Sequence, residues 1–290
     1  MGLLGNFKTL FAGSKVNIAA RFELLREAIS GTMSSFYMAR DRKSGEIVGL
    51  KILDVEKTLA LEARFVGIKK PKEGEIAMLM SHPYIVKTLE HGVTSENEQY
   101  IVMEFLDGPG LNSLIVGRSE LLAGRRVKLL RQAAEAIAAV HQAGYIHRDI
   151  CPRNFVVDKS GESLKLIDFG LTVPATAPFM QPGNRTGTAN YMAPEVVRRR
   201  PTTLKLDVFA FGVTAYEVCA FELPWPRGAG LAAMAHGAVE PTEIRKYCPQ
   251  IDPRLEKAIM ACIESSPDNR PATMDEFLKL IKGVEHENVG

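Results

Sequence analysis

The sequence predicts an α+β protein in two lobes, a small lobe rich in β-strands followed by a larger helical lobe. Aromatic and β-branched residues cluster in residues 22–53, which is typical of strands, whereas the pattern after Phe221 is mainly helical. A chain of 290 residues is long enough to bury a core in each lobe. We therefore expect a bilobal fold with a cleft between the lobes.

These patterns also predict the domain boundaries. Residues 1–20 form an N-terminal extension, residues 21–104 the β-rich lobe, and residues 105–290 a hinge and the helical lobe. The large apolar residues of the extension fall on one helical face: Leu3, Leu4, Phe7, Leu10 and Phe11. We interpret this face as packing on the domain, and docking on a membrane surface or a partner is the alternative.

The elements of the first lobe follow from local signals. A D-R-K-S-G sequence at residues 41–45 predicts a turn between two strands. Residues 72–80 predict a helix that ends near Pro83, because a residue before proline disfavours the helical conformation. An apolar strand is predicted at residues 100–105.

Helical signals dominate the second lobe. Residues 124–144 carry apolar residues at helical spacing, and Gly144 suits the position just beyond a helix end. Near the C-terminus, Thr273 and Glu276 match a T-x-x-E capping box before an apolar run.

The composition excludes several classes of protein. A formal net charge of +2 indicates no strong preference for nucleic acid or an anionic membrane. No apolar run approaches the length of a transmembrane helix, and the N-terminus lacks a secretory signal. The four cysteines lack metal-site spacing, so we interpret them as reduced thiols in a cytoplasmic protein.

Three short motifs follow one another in the second half of the chain. They are H-R-D-x-x-x-x-N at residues 147–154, D-F-G at residues 168–170 and A-P-E at residues 193–195. In this order they closely resemble the motifs of the protein kinase family, and the resemblance covers residues 22–282. It implies a bilobal kinase fold and transfer of the γ-phosphate of ATP with Mg²⁺ as cofactor.

The resemblance also implies roles for the polar residues of these motifs. Phosphoryl transfer requires mainly positioning and counter-charge for the phosphate oxygens. Asp149 would accept or orient the proton of the substrate hydroxyl, while Asn154 and Asp168 would hold Mg²⁺, which prefers oxygen ligands.

The predicted strand at residues 46–52 offers a nucleotide contact. Successive side chains of a strand point to opposite faces, which places Gly49 and Lys51 together on the side away from the core. A small residue beside a lysine leaves room for a flat base next to a cation. The V-G-L-K sequence resembles the V-A-I-K motif of kinases, so Lys51 is expected to contact the α- and β-phosphates.

Lys51 requires a carboxylate partner on the first helix of the small lobe. The spacing from Glu73 to His82-Pro83 resembles the family's pattern and implies that Glu73 is this partner. Glu75 is the alternative.

Residues 100–107 resemble the hinge that joins the kinase lobes. Met103 would then lie at the back of the adenine pocket. The backbone from Glu104 to Leu106 would form hydrogen bonds with the base.

The glycine-rich loop departs from the family pattern. Of its G-x-G-x-x-G only the middle glycine, Gly31, is present, and Phe36 takes the position of the valine that covers the base. Ile29, Gly31 and Phe36 are nevertheless the expected nucleotide contacts. Because glycine lets a backbone approach phosphates closely, we expect weaker or slower nucleotide handling, not its absence.

The catalytic loop departs as well, since Cys151 stands where most serine/threonine kinases have a lysine. Arg153 occupies the position at which tyrosine kinases place a substituting arginine, and its guanidinium could reach the γ-phosphate. We hypothesise that Arg153 replaces the missing lysine. Cys151 is interpreted as a small buried residue, with a redox role as the alternative.

The sequence G-T-x-x-Y-x-A-P-E at residues 187–195 resembles serine/threonine kinases, where the threonine, here Thr188, bridges the catalytic aspartate and the substrate platform. Pro152 also fits this class, whereas Arg153 favours tyrosine or dual specificity. The expected partners are proteins phosphorylated on serine or threonine.

We also expect self-association for trans-autophosphorylation, at Thr186 first and Thr176 next. A pseudokinase scaffold and a small-molecule phosphotransferase are the alternative functions. Five intact residues argue against the first: Lys51, Glu73, Asp149, Asn154 and Asp168. The peptide platform formed by A-P-E and the G-T-x-x-Y segment argues against the second.

Two further matches to the family are structural. Asp207 resembles the aspartate that holds the catalytic-loop backbone, and Arg270 resembles the arginine that pairs with Glu195 of the A-P-E motif.

Overall fold

The computed structural model describes residues 15–30, 33–65, 67–182, 186–225 and 240–288. The apolar face predicted at residues 3–11 and the predicted nucleotide contact Gly31 lie outside these ranges. The chain divides into two compact units. One comprises Met1–Met78 and Lys87–Phe105, and the other comprises Leu79–Val86 and Leu106–Gly290.

The first unit is built on an antiparallel five-stranded sheet in the order β1-β2-β3-β5-β4. Its elements are α1 Ile18–Arg21, β1 Phe22–Ser30, β2 Ser34–Asp41, β3 Ile47–Leu53, α2 Val55–Glu62, α3 Glu73–Leu79, β4 Thr88–Val93 and β5 Gln99–Glu104. The strands and the helix predicted in this part of the chain are thus confirmed.

One face of the sheet carries the core of the first unit. Its buried members are Phe22, Ala39, Val48, Leu50, Tyr100 and Val102. Val48 and Leu50 belong to this core, so the predicted alternation along β3 is confirmed and places Gly49 and Lys51 on the other face.

Two local signals explain the connections of β3. Gly45 adopts a φ of 80° in the turn after β2, a conformation in which glycine pays no steric penalty. After β3, the Asp54 side chain accepts a hydrogen bond from the backbone nitrogen of Lys57 and so caps α2. Neither α1 nor α2 was predicted from the sequence.

The second unit is mainly helical. Its α-helices are α4 Leu111–Val116, α5 Arg126–Gln142, α6 Pro194–Val197, α7 Lys205–Ala220, α8 Pro253–Cys262 and α9 Met274–Leu280. Short 3₁₀ helices are Glu120–Leu122, Pro152–Asn154, Ala177–Met180, Ala189–Tyr191, Ile244–Lys246 and Pro267–Asn269. The described part of this unit also contains two small antiparallel strand pairs, β6 Tyr145–Ile146 with β9 Val173–Pro174 and β7 Phe155–Val157 with β8 Leu164–Leu166.

Helices α5 and α7 form the centre of the second unit. The predicted α5 is confirmed, and Gly144 follows it with a φ of 83°. Helix α7 is buried from Leu206 to Ala220 on all its faces, as expected for a helix with apolar residues around its whole circumference, and it also buries the polar side chains of Asp207, Thr214 and Glu217.

The capping box predicted before α9 is formed only in part. Thr273 accepts a hydrogen bond from the backbone nitrogen of Glu276, but the Glu276 side chain reaches the backbone nitrogen of Ala272 instead of that of Thr273. Among the described residues, none of the helices combines the length and apolar character needed to cross a bilayer.

Candidate active site

The face of β3 opposite the core carries a buried ion pair. The Nζ atom of Lys51 lies 2.6 Å from Oε1 of Glu73, the first residue of α3. Both side chains are buried. Glu75 is exposed and accepts a hydrogen bond from the backbone nitrogen of Lys72 instead. The structure therefore selects Glu73 over Glu75 as the partner of Lys51.

Helix α3 approaches strand β4 closely just after Glu73. A Cβ atom added to Gly74 would lie 2.5 Å from Cβ and 2.7 Å from Cγ of His91. Such distances are far below van der Waals contact, and the obstruction is next to the backbone of β4. The absence of a side chain at Gly74 thus sets the distance of α3 from the sheet, and with it the reach of Glu73 toward Lys51.

We predict that Gly74→Ala displaces α3 and lowers kcat/KM by about 10²-fold, because a displacement of about 1 Å is enough to misplace a positioning group. Steady-state kinetics would measure this loss. Gly110→Ala is the matched control, since an added Cβ there meets its nearest atom only at 4.0 Å. Equal activity of the two variants would contradict the positioning role of Gly74.

The first unit also contains three other predicted nucleotide contacts, Met103, Glu104 and Ile29. Met103 is buried on β5 opposite Gly49. The backbone nitrogen of Glu104 donates to the carbonyl oxygen of Lys87, so this N–H is already used and does not serve the base. Ile29 pairs with Phe36 across β1 and β2.

In the second unit, the carboxylate of Asp149 accepts hydrogen bonds from Thr188 and Asn154. Its Oδ1 atom accepts from the backbone nitrogen of Thr188 at 2.9 Å and from the Thr188 hydroxyl at 2.8 Å. Its Oδ2 atom accepts from Nδ2 of Asn154 at 3.0 Å. The predicted bridge between Asp149 and Thr188 is confirmed, and these contacts fix the orientation of the carboxylate.

The β7–β8 hairpin brings Asn154 and Asp168 to one end of a pair of strands. Asn154 precedes β7, Asp168 follows β8, and the backbone nitrogen of Ile167 donates to the carbonyl oxygen of Asn154 at 3.0 Å. Because the planar amide of Asn154 directs its nitrogen to Asp149, its oxygen points to the opposite side. A carboxylate and an amide oxygen are ligands that Mg²⁺ accepts, since it takes few protein ligands.

The backbone of the catalytic loop is held by a buried carboxylate. Asp207 accepts hydrogen bonds from the backbone nitrogens of His147 and Arg148, each at 2.8 Å, which confirms its predicted role. Nε2 of His141 lies 2.9 Å from the same carboxylate. Burial alone would raise the pKa of Asp207, but the contact with His141 and these hydrogen bonds lower it overall.

The contact of His141 with Asp207 was not predicted from the sequence. A polar side chain at a buried helical position was the available signal, since buried polar groups require partners.

The predicted pair of Arg270 and Glu195 is confirmed. Two nitrogens of Arg270 reach the two carboxylate oxygens of Glu195 at 2.8 and 2.9 Å. Arg270 thereby ties the segment after residue 265 to the start of α6.

Cys151 is buried, and its sulfur lies 3.7 Å from the Thr188 hydroxyl oxygen. Burial, together with the nearby Asp149 charge, raises the pKa of the Cys151 thiol to about 12. The thiolate is the reactive form, so these surroundings favour the buried small residue over the redox role. Arg153, two residues further along, is exposed.

The threonines of the segment between D-F-G and A-P-E differ in exposure. Thr186, the first expected phosphorylation site, is buried, whereas Thr176 is exposed. Thr172 is buried, and its hydroxyl donates to the carbonyl oxygen of His147. A hydroxyl must be accessible to be phosphorylated, so the structure makes Thr176 the more accessible of the two candidates.

Comparison with known proteins assigns a family to this arrangement. The family model described as "Protein kinase domain" matches residues 22–281. The serine/threonine-protein kinase Pkn1 of Myxococcus xanthus is 31% identical over 277 residues, which cover 92% of this chain and 39% of Pkn1. PrkC of Bacillus subtilis, also named a serine/threonine-protein kinase, is 27% identical over 91% of this chain and 40% of its own length.

A third relative is PknB of Mycolicibacterium smegmatis, which is named a serine/threonine-protein kinase. It is 28% identical over 90% of this chain and 42% of its own length. The chain therefore spans about two fifths of the length of these curated relatives.

Proposed function

The chain belongs to the protein kinase family, and from this premise we propose that it transfers the γ-phosphate of ATP to serine or threonine hydroxyls of proteins. The carboxylate of Asp149, oriented by Thr188 and Asn154, is the observation that carries the proposal. A general base must first lie within hydrogen-bonding distance of the proton that it accepts, and only then does its pKa affect the rate.

Each remaining site residue takes a role that its surroundings support. Lys51, oriented by Glu73, holds the α- and β-phosphates. Asn154 and Asp168 would hold Mg²⁺, which would supply positive charge to the phosphate oxygens. Asp149 orients the substrate hydroxyl and takes its proton as the hydroxyl oxygen attacks the γ-phosphorus. The bond between the γ-phosphorus and the oxygen that bridges to the β-phosphate breaks, and ADP leaves with that oxygen.

Two observations support serine/threonine specificity: the contacts of Thr188 and the names of the related proteins. Thr188 donates both its backbone N–H and its hydroxyl to Asp149, so the segment before A-P-E is attached to the catalytic carboxylate. All three relatives described above are named serine/threonine-protein kinases.

Radiolabelled ATP with a generic protein substrate tests the proposal. We expect label on serine and threonine in the presence of Mg²⁺, and loss of labelling with a chelator or in Asp168→Ala. Phosphoamino-acid analysis separates serine and threonine from tyrosine. A wild-type chain that binds Mg-ATP but transfers no phosphate would favour the pseudokinase alternative.

We predict that Arg153→Ala lowers kcat on the order of 10²-fold, if its guanidinium supplies the charge that the lysine at the position of Cys151 supplies in related kinases. Arg153→Lys retains a cation and should recover part of the rate. Arg198→Ala removes another exposed arginine and serves as the control. Near-normal turnover of Arg153→Ala would refute the assignment.

We further propose self-association with trans-autophosphorylation. After incubation with Mg-ATP, mass spectrometry is expected to find phosphate on Thr176 before Thr186, because Thr186 is buried. The control is Asp168→Ala, which should remain unmodified. Exclusive modification of Thr186 would show that the segment opens before it is phosphorylated, and an active enzyme without phosphothreonine would contradict autophosphorylation.

We propose a cytoplasmic location for the catalytic chain. All four cysteines are free and buried, and free thiols are the usual state in a reducing compartment.

A further inference from the structure

Strand β4 forms one edge of the five-stranded sheet in the first unit. Along an antiparallel pair, the backbone groups of successive residues point alternately to the partner strand and away from it. The N–H of Thr94 donates to the carbonyl oxygen of Glu98 and so points to the side of β5. The N–H groups of His91 and Val93 therefore point to the outer edge, because each lies an odd number of residues from Thr94.

The described chain already pairs with this outer edge at one end. The N–H of Val16 donates to the carbonyl oxygen of Val93 at 3.0 Å, and the carbonyl oxygen of Val16 accepts from the N–H of Ser95 at 2.9 Å. Val16 thus forms a parallel bridge with Thr94. Within the described residues, no strand pairs with the outer edge over residues 90–92. An open strand edge of this kind accepts a further strand.

The parallel direction of the bridge determines where the chain before Val16 leads. Each step back from Val16 corresponds to one step back from Thr94, so continued pairing brings residues 12–14 alongside residues 90–92. These residues are separated from Val16 by one residue alone. Their pairing therefore requires almost no loop closure, which gives them an advantage over a strand from any separate molecule.

The side chains of β4 suit this register. Glu90 accepts a hydrogen bond from the Tyr100 hydroxyl on the core face, so His91 lies on the opposite face. On that face α3 approaches so closely that a Cβ atom added to Gly74 would lie 2.5 Å from Cβ of His91. The register places Gly13 beside His91, and a residue without a side chain needs no additional room next to α3.

We propose that residues 12–14 of this chain continue the pairing of Val16 and add to the outer edge of β4 as a parallel strand. The added strand supports β4 where α3 lies against it, and α3 begins with Glu73. The open edge is thus an interaction surface for the N-terminal part of the same chain.

The proposed strand has a defined hydrogen-bond pattern, which repeats that of Val16 two residues earlier. The N–H of Ser14 donates to the carbonyl oxygen of His91. The carbonyl oxygen of Ser14 accepts from the N–H of Val93, and that of Ala12 accepts from the N–H of His91. The N–H of Gly13 points away from β4, so neighbouring residues differ in their contribution.

Two proline variants use this difference. Ser14→Pro removes an N–H that bonds to β4, whereas Gly13→Pro removes one that faces outward, where proline is tolerated in an edge strand. Hydrogen exchange should find the N–H groups of His91 and Val93 protected in wild type. Their exchange should become faster on the order of tenfold in Ser14→Pro and change little in Gly13→Pro.

Cross-linking tests the register independently. Gly13→Cys combined with His91→Cys should form a disulfide within one chain under mild oxidation, because adjacent strands bring Cα atoms into the range for a disulfide. Gly13→Cys combined with Leu59→Cys is the control, since Leu59 is exposed on α2. The four native cysteines are buried and should not compete.

Several results would overturn the inference. They are exchange of the His91 and Val93 N–H groups in wild type as fast as in an unstructured peptide, equal exchange in the two proline variants, and equal cross-linking of the two cysteine pairs. A disulfide that joins two chains would show that a second copy covers the edge, and would also overturn it. Thermal denaturation shows whether each variant folds, and the cross-link decides if Ser14→Pro does not. None of these measurements requires phosphate transfer, so their outcome is separate from that of the proposed function.

Discussion

Asp149→Ala is expected to lower kcat by about 10² to 10⁴-fold, the contribution usual for a positioned general acid or base. The substrate hydroxyl would lose the group that orients it and accepts its proton. The KM for ATP should change little, because Lys51 and Asp168 remain in place. Thr188 and Asn154 would also lose the carboxylate that they now contact.

Steady-state kinetics with saturating Mg-ATP would measure the effect. Asp275→Asn is the control, because it changes an exposed carboxylate on the first turn of α9. Thr188→Val should also lower kcat, but less, since the backbone N–H of residue 188 still reaches Oδ1 of Asp149. An Asp149→Ala enzyme with wild-type kcat would exclude Asp149 from the chemistry.

The sequence predicted those site contacts that lie within short motifs or follow a family spacing. Asp149 and Asn154 are five residues apart. Their contact is formed within one loop and does not depend on where that loop lies in the fold. The resemblance supplied the distant partners, since Asp207 and Glu73 were identified by their place in a pattern. It also favoured Glu73 over Glu75 before any distance was known.

The contacts that the sequence could not predict depend on distances between separate elements. Nothing local to Gly74 indicates that His91 lies 2.5 Å from its missing Cβ. The sequence ranked Thr186 before Thr176 as a phosphorylation site, and the burial of Thr186 could not be predicted for the same reason. Likewise, nothing in the sequence indicates that the ring of Phe36 occupies the space a Cβ atom at Gly49 would need.

Removal of either member of the Glu195–Arg270 pair should strongly destabilise the second unit. Both side chains are buried, and Arg270 is bonded to both carboxylate oxygens. Loss of one partner of a buried pair costs about 3–5 kcal/mol, because the remaining charge is left without compensation. Urea denaturation, followed by far-UV circular dichroism, would measure the loss for Glu195→Ala and Arg270→Ala.

The two variants should differ in stability, because Arg270 has hydrogen-bond partners besides Glu195. Its guanidinium also donates to the carbonyl oxygens of Glu264, Lys205 and Ser265. In Glu195→Ala these bonds still satisfy part of the buried cation, so the free energy of unfolding should fall by about 3 kcal/mol. In Arg270→Ala it should fall by about 5 kcal/mol, the upper end of the range for a broken buried pair.

The double variant then distinguishes a pair from two independent residues. Once Arg270 is absent, Glu195→Ala removes an uncompensated charge, so the double variant should be no less stable than Arg270→Ala alone. Lys159→Ala, which breaks the exposed pair with Asp107, should change stability by no more than about 0.5 kcal/mol. Additive losses at Glu195 and Arg270 would show that each acts through other neighbours, and that the A-P-E glutamate is not held by this arginine.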